Sequence, residues 1–439
     1  MNKNDSINNI ITSLANYFEQ SNLKVKLDPT HPQIIHYINE IIRFKSKLNF
    51  IINKTKRFLR KDKFIDSNDE ARYFYATYRI LWESTSIDSI KKELEIKDDF
   101  LFISFLRKLK SFSWSKALEN KSEVEKLSIK EAVPTFFINH LLPVISLNFI
   151  KENIQAMNNY NDINECTIRL NTLKGLKEQN TPLVDIYQYF KKLGIKYRED
   201  QDISELIYVP IKKKEVLINS RFYRDGIFTF QDKASTAVVN VLDPKPEEFI
   251  CDMCAAPGMK TSLIAQYSNN KARIISGEFL NTRAIEAKKM LEHLNVSNYD
   301  MINTDSIKFP IRFDKKFDKV LLDAPCTGSG TFLSNPELKW RQNEKFLHQN
   351  VILQKKLLES ALGLLKPGGI FVYSTCSFYP EEGELQIQDV FNQLKPVKIP
   401  DWISKSYSIN GSILPGTGRL YPSTHGTQAF FIGKFKKVI

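Results

Sequence analysis

Five short strand-like runs, at 249–253, 273–277, 299–303, 317–322 and 370–374, constrain this chain more than any other feature. Amphipathic stretches at 259–267 and 281–294 separate the first three, and a longer one at 344–365 precedes Pro367-Gly368-Gly369. Runs of this length alternating with helical periodicity read as strand–helix units, and such repeats build a doubly wound, mostly parallel sheet. In the tail, 406–414 and 428–435 read as strands closing an antiparallel edge. Open α/β sheets bind ligands beyond the carboxyl ends of their strands. The residues that follow each run therefore carry the chemistry.

The first run leads into Cys254-Ala255-Ala256-Pro257-Gly258-Met259-Lys260, which puts small residues where a ligand must approach the backbone. The fingerprint G-x-G-x-x-G is absent, which argues against a nicotinamide or flavin cofactor. Glu278, Asp305 and Asp323 follow the second, third and fourth runs. An acid after the second strand is the usual partner of a ribose diol, and one after the third suits an adenine amino group. Any single one of them reads equally as a helix cap. Together, beside a small-residue turn, they point to an adenosyl ligand.

The fourth run ends in Asp323-Ala324-Pro325-Cys326-Thr327-Gly328-Ser329-Gly330, a stiffened loop with two tight-turn glycines. The fifth runs into Thr375-Cys376-Ser377. A carboxylate and two thiols at neighbouring strand ends suggest a site built for thiol chemistry. Cys251 and Cys254 have C-x-x-C spacing, but no second pair exists and Cys251 falls inside a strand, so a metal site is not expected.

Upstream the period changes twice. Residues 1–150 read as all-helical: Ile34, Ile35, Ile38, Ile41 and Ile42 follow Pro32 at one-face spacing, and 71–82 and 99–110 are amphipathic. Lys45, Lys47, Lys54, Lys56, Arg57, Arg60 and Lys61 cluster there, as phosphate contacts or as a wet helical surface. Residues 151–233 read as a small α+β unit, with strands at 166–170, 206–210 and 216–219 and a helix starting at Thr181-Pro182. The 439 residues carry 63 Lys and Arg against 50 Asp and Glu, a net +13 that favours a polyanionic partner, nucleic acid first. Five cysteines, an odd number, with no long apolar run near Met1, predict a reducing, cytoplasmic setting with neither signal peptide nor membrane span.

Taken together, these motifs resemble the RsmB/Nol1/Nop2/Sun family of RNA cytosine carbon-5 methyltransferases. The resemblance rests on 252–261, 323–330 and 373–377, with Asn335-Pro336-Glu337, Trp340, Lys366-Pro367-Gly368-Gly369, Gln231-Asp232-x-Ala234-Ser235 and Arg169-Leu170-Asn171-Thr172. It implies an α/β fold: a Rossmann-like class I methyltransferase domain over 234–439. A small RRM-like α+β subdomain over 151–233 and a helical, NusB-like RNA-binding domain over 1–150 would precede it. It implies S-adenosylmethionine as cofactor, held by Cys254 to Lys260, Glu278, Asp305 and Asp323, with Arg283 near the ribose. Cys376 is implied as the nucleophile, Cys326 as the group that helps release product, and Asp323 as the partner of the base. The expected partner is RNA, ribosomal before transfer, and the expected state a monomer. Met259, Gly383 and Ala429 depart from the family pattern, which has glycine, asparagine and glycine there.

Overall fold

The computed structural model describes residues 3–19, 32–57, 66–159, 165–174, 182–310 and 316–438. The chain forms two compact units, one of Met1–Asn158 with Phe332–Asn343, the other of Asn159–Thr331 with Glu344–Ile439.

The first unit is helical, including Lys3–Glu19, Pro32–Arg43, Lys45–Arg57, Ser67–Trp82, Phe100–Leu109 and Leu147–Asn158. Side-chain caps set several starts: Asp66 accepts from Asp69 N–H, Asp99 from Phe102 N–H, and Ser122 with Glu125 closes a capping box. The isoleucine stripe is core, with Ile34, Ile38, Ile41 and Ile42 buried beside Leu48, Phe74 and Phe105.

The basic cluster corrects the phosphate-gripping expectation in part. Lys47 lies over the Trp82 ring at 4.8 Å, Lys45 over Tyr17 at 5.2 Å and Lys56, 3% exposed, over Tyr73 at 5.0 Å. These stems cover apolar surface while their charges rest on ring faces. Burial lowers the ammonium pKa of Lys45 and of Lys47. Arg60 and Lys61 lie outside the described residues, as does the Arg57 side chain.

Residues 332–343 belong to this helical unit although they interrupt the methyltransferase-like sequence. Arg43, 1% exposed, pairs with Glu40 at 2.8 Å and donates to the carbonyls of Met157, Phe332 and Leu333 at 2.9 to 3.1 Å. Buried Lys339 donates to the Arg43 carbonyl and to Asn158, and Trp340 Nε1 donates to the Ile42 carbonyl at 2.8 Å. The Asn335-to-Trp340 motif is thus an anchor for the helical unit. Arg43→Met leaves Glu40 buried without its cation and three carbonyls without their donor, an expected loss of about 3–5 kcal/mol. Urea titration followed by tryptophan fluorescence reads it, because Trp82, Trp114 and Trp340 all lie in this unit.

The second unit holds two larger sheets. β1 (Glu165–Leu170), β2 (Arg198–Glu199), β3 (Leu206–Pro210) and β4 (Phe228–Phe230) form one, in the order β2-β3-β1-β4, all antiparallel. The helix Pro182–Lys192 packs Ile186 and Phe190 into its core; Thr181 lies outside the described residues. The expected strand at 216–219 is instead part of the helix Lys214–Ile218, where only Leu217 is buried. A three-residue apolar run, Val216 to Ile218, satisfies either period, so packing decides it.

The other sheet contains β5 (Phe249–Asp252), β6 (Arg273–Glu278), β7 (Tyr299–Asn303), β8 (Phe317–Asp323) and β9 (Leu365–Thr375). To these it adds β10 (Leu394–Pro396), β11 (Ser404–Lys405), β14 (Thr417–Leu420) and β15 (Phe430–Lys437); β12 (Ser408–Ile409) and β13 (Ser412–Ile413) make a separate hairpin. Its order is β11-β14-β15-β9-β8-β5-β6-β7, with β10 on β15. The strands from β5 to β9 pair in parallel, and β15 returns antiparallel on β9. The closing edge comes from β14 and β15 rather than from 406–414, which yields the small hairpin. Strand order reverses outward from β5, so the ends of β5, β6 and β8 border the crevice where such sheets bind ligands. No helix among the described residues is long and apolar enough to cross a membrane.

Candidate active site

The five parallel strands bring the predicted residues to one edge. β8 ends at Asp323, paired with Ser374 of β9. Ser374 Oγ donates to Asp323 Oδ1 at 2.7 Å, and Lys260 Nζ meets Asp323 Oδ2 at 2.6 Å. Lys260 opens the helix Met259–Tyr267 that follows β5, the next strand over. Burial alone would lower its ammonium pKa; the charge of Asp323 and the hydrogen bond to it outweigh that and raise it. The Asp323 carboxylate is therefore fixed in direction while lone pairs remain for another donor.

Beyond Asp323 the loop carries Cys326, and beyond Ser374 the chain carries Cys376. Their Sγ atoms are 3.2 Å apart. The hydrogen bond to Cys376 and then burial hold the Cys326 thiol well above its ordinary pKa. Gly330 N–H donates to the Cys376 carbonyl at 2.9 Å, and Gly330 accepts from Ala429 N–H at 3.0 Å. A Cβ on Gly330 would stand 2.2 Å from the Ala429 carbonyl oxygen, so only glycine lets the two loops meet there.

The turn after β5 places Cys254, Ala255, Ala256, Pro257, Gly258 and Met259 along the same edge. Gly258 has φ +98°, a conformation natural to glycine, and caps the helix Met259–Tyr267. The Met259 carbonyl accepts from Arg169 Nη1 at 3.1 Å, and Arg169 Nη2 donates to Ser262 at 2.8 Å. Fully buried Arg169 thus ties β1 to this helix. Burial, then the nearby carboxylates, push the Cys254 thiol far up, which leaves it an unreactive neighbour.

Glu278 at the end of β6 is buried; its Oε1 accepts from Leu280 N–H at 3.0 Å and faces Arg283 at 3.6 Å. Arg283 also donates to the Ala256 carbonyl at 2.9 Å, linking the β5 turn to the β6 end. Asp305 is exposed and accepts from Ile307 N–H, so one of its oxygens serves the turn Ser306–Lys308 as a cap. Two strand-end carboxylates with acceptor capacity, beside a turn of small residues, fit the diol and amino group of an adenosyl cofactor.

Asp252, at 0% exposure, sits behind this turn and accepts from Thr261 Oγ1 at 2.7 Å. Burial pushes its carboxyl pKa from 3.8 up to about 6, against the Thr261 hydrogen bond and the Lys260 charge. The folded state therefore holds more protons than the unfolded chain between those values, and stability from this group falls as pH rises through that window. Raising a carboxyl pKa by this much removes about 3 kcal/mol across the window. Asp252→Asn is expected to remove that part of the pH slope between about pH 4 and pH 6, measured as urea midpoints for both proteins.

One carboxylate at the centre of the site was not singled out by sequence reasoning: Glu382. It accepts from Thr327 N–H at 2.9 Å, Thr327 Oγ1 at 2.5 Å and Gln354 Nε2 at 3.0 Å. Two residues on, Glu384 pairs with buried Arg419 through bonds of 2.6 and 2.7 Å, and Arg419 Nη1 donates to the Ser377 carbonyl at 2.8 Å. Gly383 lies between them because a Cβ there would stand 2.8 Å from Arg419 Nη2 and 2.9 Å from the Phe431 ring. Its departure from asparagine thus accompanies close packing behind the Cys376 loop.

The family described as 16S rRNA methyltransferase RsmB/F matches residues 239–436. A tRNA (cytosine(49)-C(5))-methyltransferase of Pyrococcus abyssi is 33% identical over 286 residues, which span 62% of this chain and 88% of that protein. The probable ribosomal RNA small subunit methyltransferase B of Synechocystis is 33% identical over 221 residues, 49% of each chain; the match spans about half of that relative. The solved structure of PH0851 aligns with a TM-score of 0.75 and 25% identity over 100% of this chain and 99% of that one. The chain belongs to the RsmB/Nol1/Nop2/Sun family of RNA cytosine-C5 methyltransferases.

Proposed function

We propose that this protein transfers a methyl group from S-adenosylmethionine to carbon 5 of a cytosine in RNA, through a covalent bond between Cys376 and the base. The observation that carries the reading is the pair of strand-end thiols 3.2 Å apart beside a carboxylate locked by Lys260 and Ser374. Carbon 5 of cytosine is too weak a nucleophile to react unaided. The Cys376 thiolate adds to carbon 6, the carbon–carbon double-bond electrons move to carbon 5, and carbon 5 becomes able to take a methyl group. S-adenosylmethionine supplies, when bound, an electrophilic sulfonium methyl.

Asp323 accepts a hydrogen bond from the base's amino group, its carboxylate already oriented by Lys260 and Ser374. Glu278, Asp305, Arg283 and the turn from Cys254 to Lys260 hold the cofactor. After transfer solvent water takes the carbon-5 proton, its bonding pair restores the double bond, and Cys376 departs as a thiolate. Cys326 donates its S–H to that departing sulfur. The target base has to be unpaired or turned out of its stack to meet these groups.

Ribosomal RNA is our proposed substrate class, supported by the family description and by the helical unit with its excess of basic residues. The five free thiols suit a reducing compartment, which supports a cytoplasmic enzyme. The test is methyl transfer from labelled S-adenosylmethionine to unmodified total RNA, separated by size and digested to nucleosides. Label in 5-methylcytidine of ribosomal size supports both parts; label in transfer RNA keeps the reaction and replaces the substrate. No label, with cofactor binding demonstrated, overturns the reaction in favour of an RNA-binding scaffold.

A further inference from the structure

We infer that Glu382 is a positioning residue that sets the separation of the two thiols, an inference that rests on the covalent reading above. The ladder between β8 and β9 ends at Asp323 and Ser374 and that between β9 and β15 at Thr375, so both cysteines lie just past the last paired residues of the sheet. Glu382 grips the chain on both sides of Cys326. Its carboxylate accepts from the N–H and hydroxyl of Thr327, directly after the cysteine. It also accepts from Gln354 Nε2, which donates in turn to the carbonyl of Pro325, directly before it, at 2.9 Å.

The same residue holds the other loop. The Glu382 carbonyl accepts from Thr375 Oγ1 and from Tyr373 OH, each at 3.0 Å, and Thr375 directly precedes Cys376. On the far side of Cys376, Ser377 Oγ lies 3.1 Å from Ser329 Oγ and 3.4 Å from Thr327 Oγ1. Thr327, after Cys326, thus meets the Glu382 carboxylate, and Thr375, before Cys376, meets the main-chain carbonyl of the same residue, which is 0% exposed. A carboxylate suits this place because it only accepts, and it meets three donors with two oxygens.

A group that places two reacting atoms matters in proportion to the precision it confers, and a misplacement near 1 Å costs about 10²-fold in rate. The cofactor residues Glu278 and Asp305 and the turn at Gly258 lie beyond other strands, so their grip does not depend on Glu382. Glu382→Ala is therefore expected to lower kcat by about 10²-fold while leaving the KM for S-adenosylmethionine unchanged. It is also expected to accumulate a covalent protein–RNA adduct, visible on a denaturing gel, because Cys326 no longer reaches the departing sulfur. Glu382→Gln keeps an acceptor for Thr327 N–H and is expected to restore most of the turnover.

Thr327→Val removes one bond to Glu382 without changing side-chain shape, and provides the same test if Glu382→Ala fails to fold. Adduct accumulation with intact cofactor binding in either variant supports the inference. Parental turnover without adduct in a folded Glu382→Ala protein overturns it. So does joint loss of turnover and cofactor binding with a Thr327→Val protein that behaves as the parent, the pattern of a purely structural residue. Wild-type protein assayed in parallel separates the two claims: if it makes no 5-methylcytidine, the covalent reading fails and takes this inference with it.

Discussion

Cys376→Ala protein is expected to bind S-adenosylmethionine as the parent does and to transfer no measurable methyl group to RNA, a loss of at least about 10⁴-fold. The size of the effect follows from the chemistry. Without a sulfur on carbon 6 the ring keeps its aromatic electrons, and carbon 5 has no pair to offer the methyl group. Binding should survive because the residues assigned to the cofactor stand at the ends of β5, β6 and β8 and beyond β7, whereas Cys376 follows β9. Equilibrium dialysis of the cofactor beside a methyl-incorporation assay reads both quantities. An active Cys376→Ala protein would remove the nucleophile assignment.

Cys326→Ala is expected to have the opposite signature on a denaturing gel. It still forms the bond to carbon 6 and still methylates, but release of Cys376 slows by about 10²- to 10⁴-fold, the range for loss of one proton-handling group. Protein carrying RNA then accumulates as a slowly migrating band. The band disappears in the Cys326→Ala, Cys376→Ala double variant, because the sulfur that carries the RNA is gone. If RNA binds and no band forms, the release role of Cys326 is wrong.

Much of this was legible in the sequence because it is local. Five strand-like runs ending in acids or cysteines define the parallel sheet and its ligand edge, since a strand's last residue points where the strand ends. What the sequence hid is long-range. Nothing in 332–343 announces that Trp340 and Lys339 join helices whose residues lie some three hundred positions away, because an anchor is defined by the carbonyls that receive it. Lys45, Lys47 and Lys56 read as phosphate contacts or as a wet helical surface because charge counts ignore rings, and ring proximity emerges only on packing. Glu382 sits in a recognisable acidic motif, but its partners Thr327 and Gln354 come from separate elements. Only the fold brings them within reach.

The account turns on a covalent bond between Cys376 and the methylated base, and RNA containing 5-fluorocytosine tests it directly. Fluorine does not leave carbon 5 as a proton does, so the reaction stops after methyl transfer with the protein still attached. Incubation with labelled S-adenosylmethionine, followed by nuclease and protease digestion and mass spectrometry of the linked peptide, locates the bond. The account predicts a methylated fluorocytidine nucleotide on Cys376. A nucleotide on Cys326, or no linked peptide from protein that methylates ordinary RNA, would contradict it.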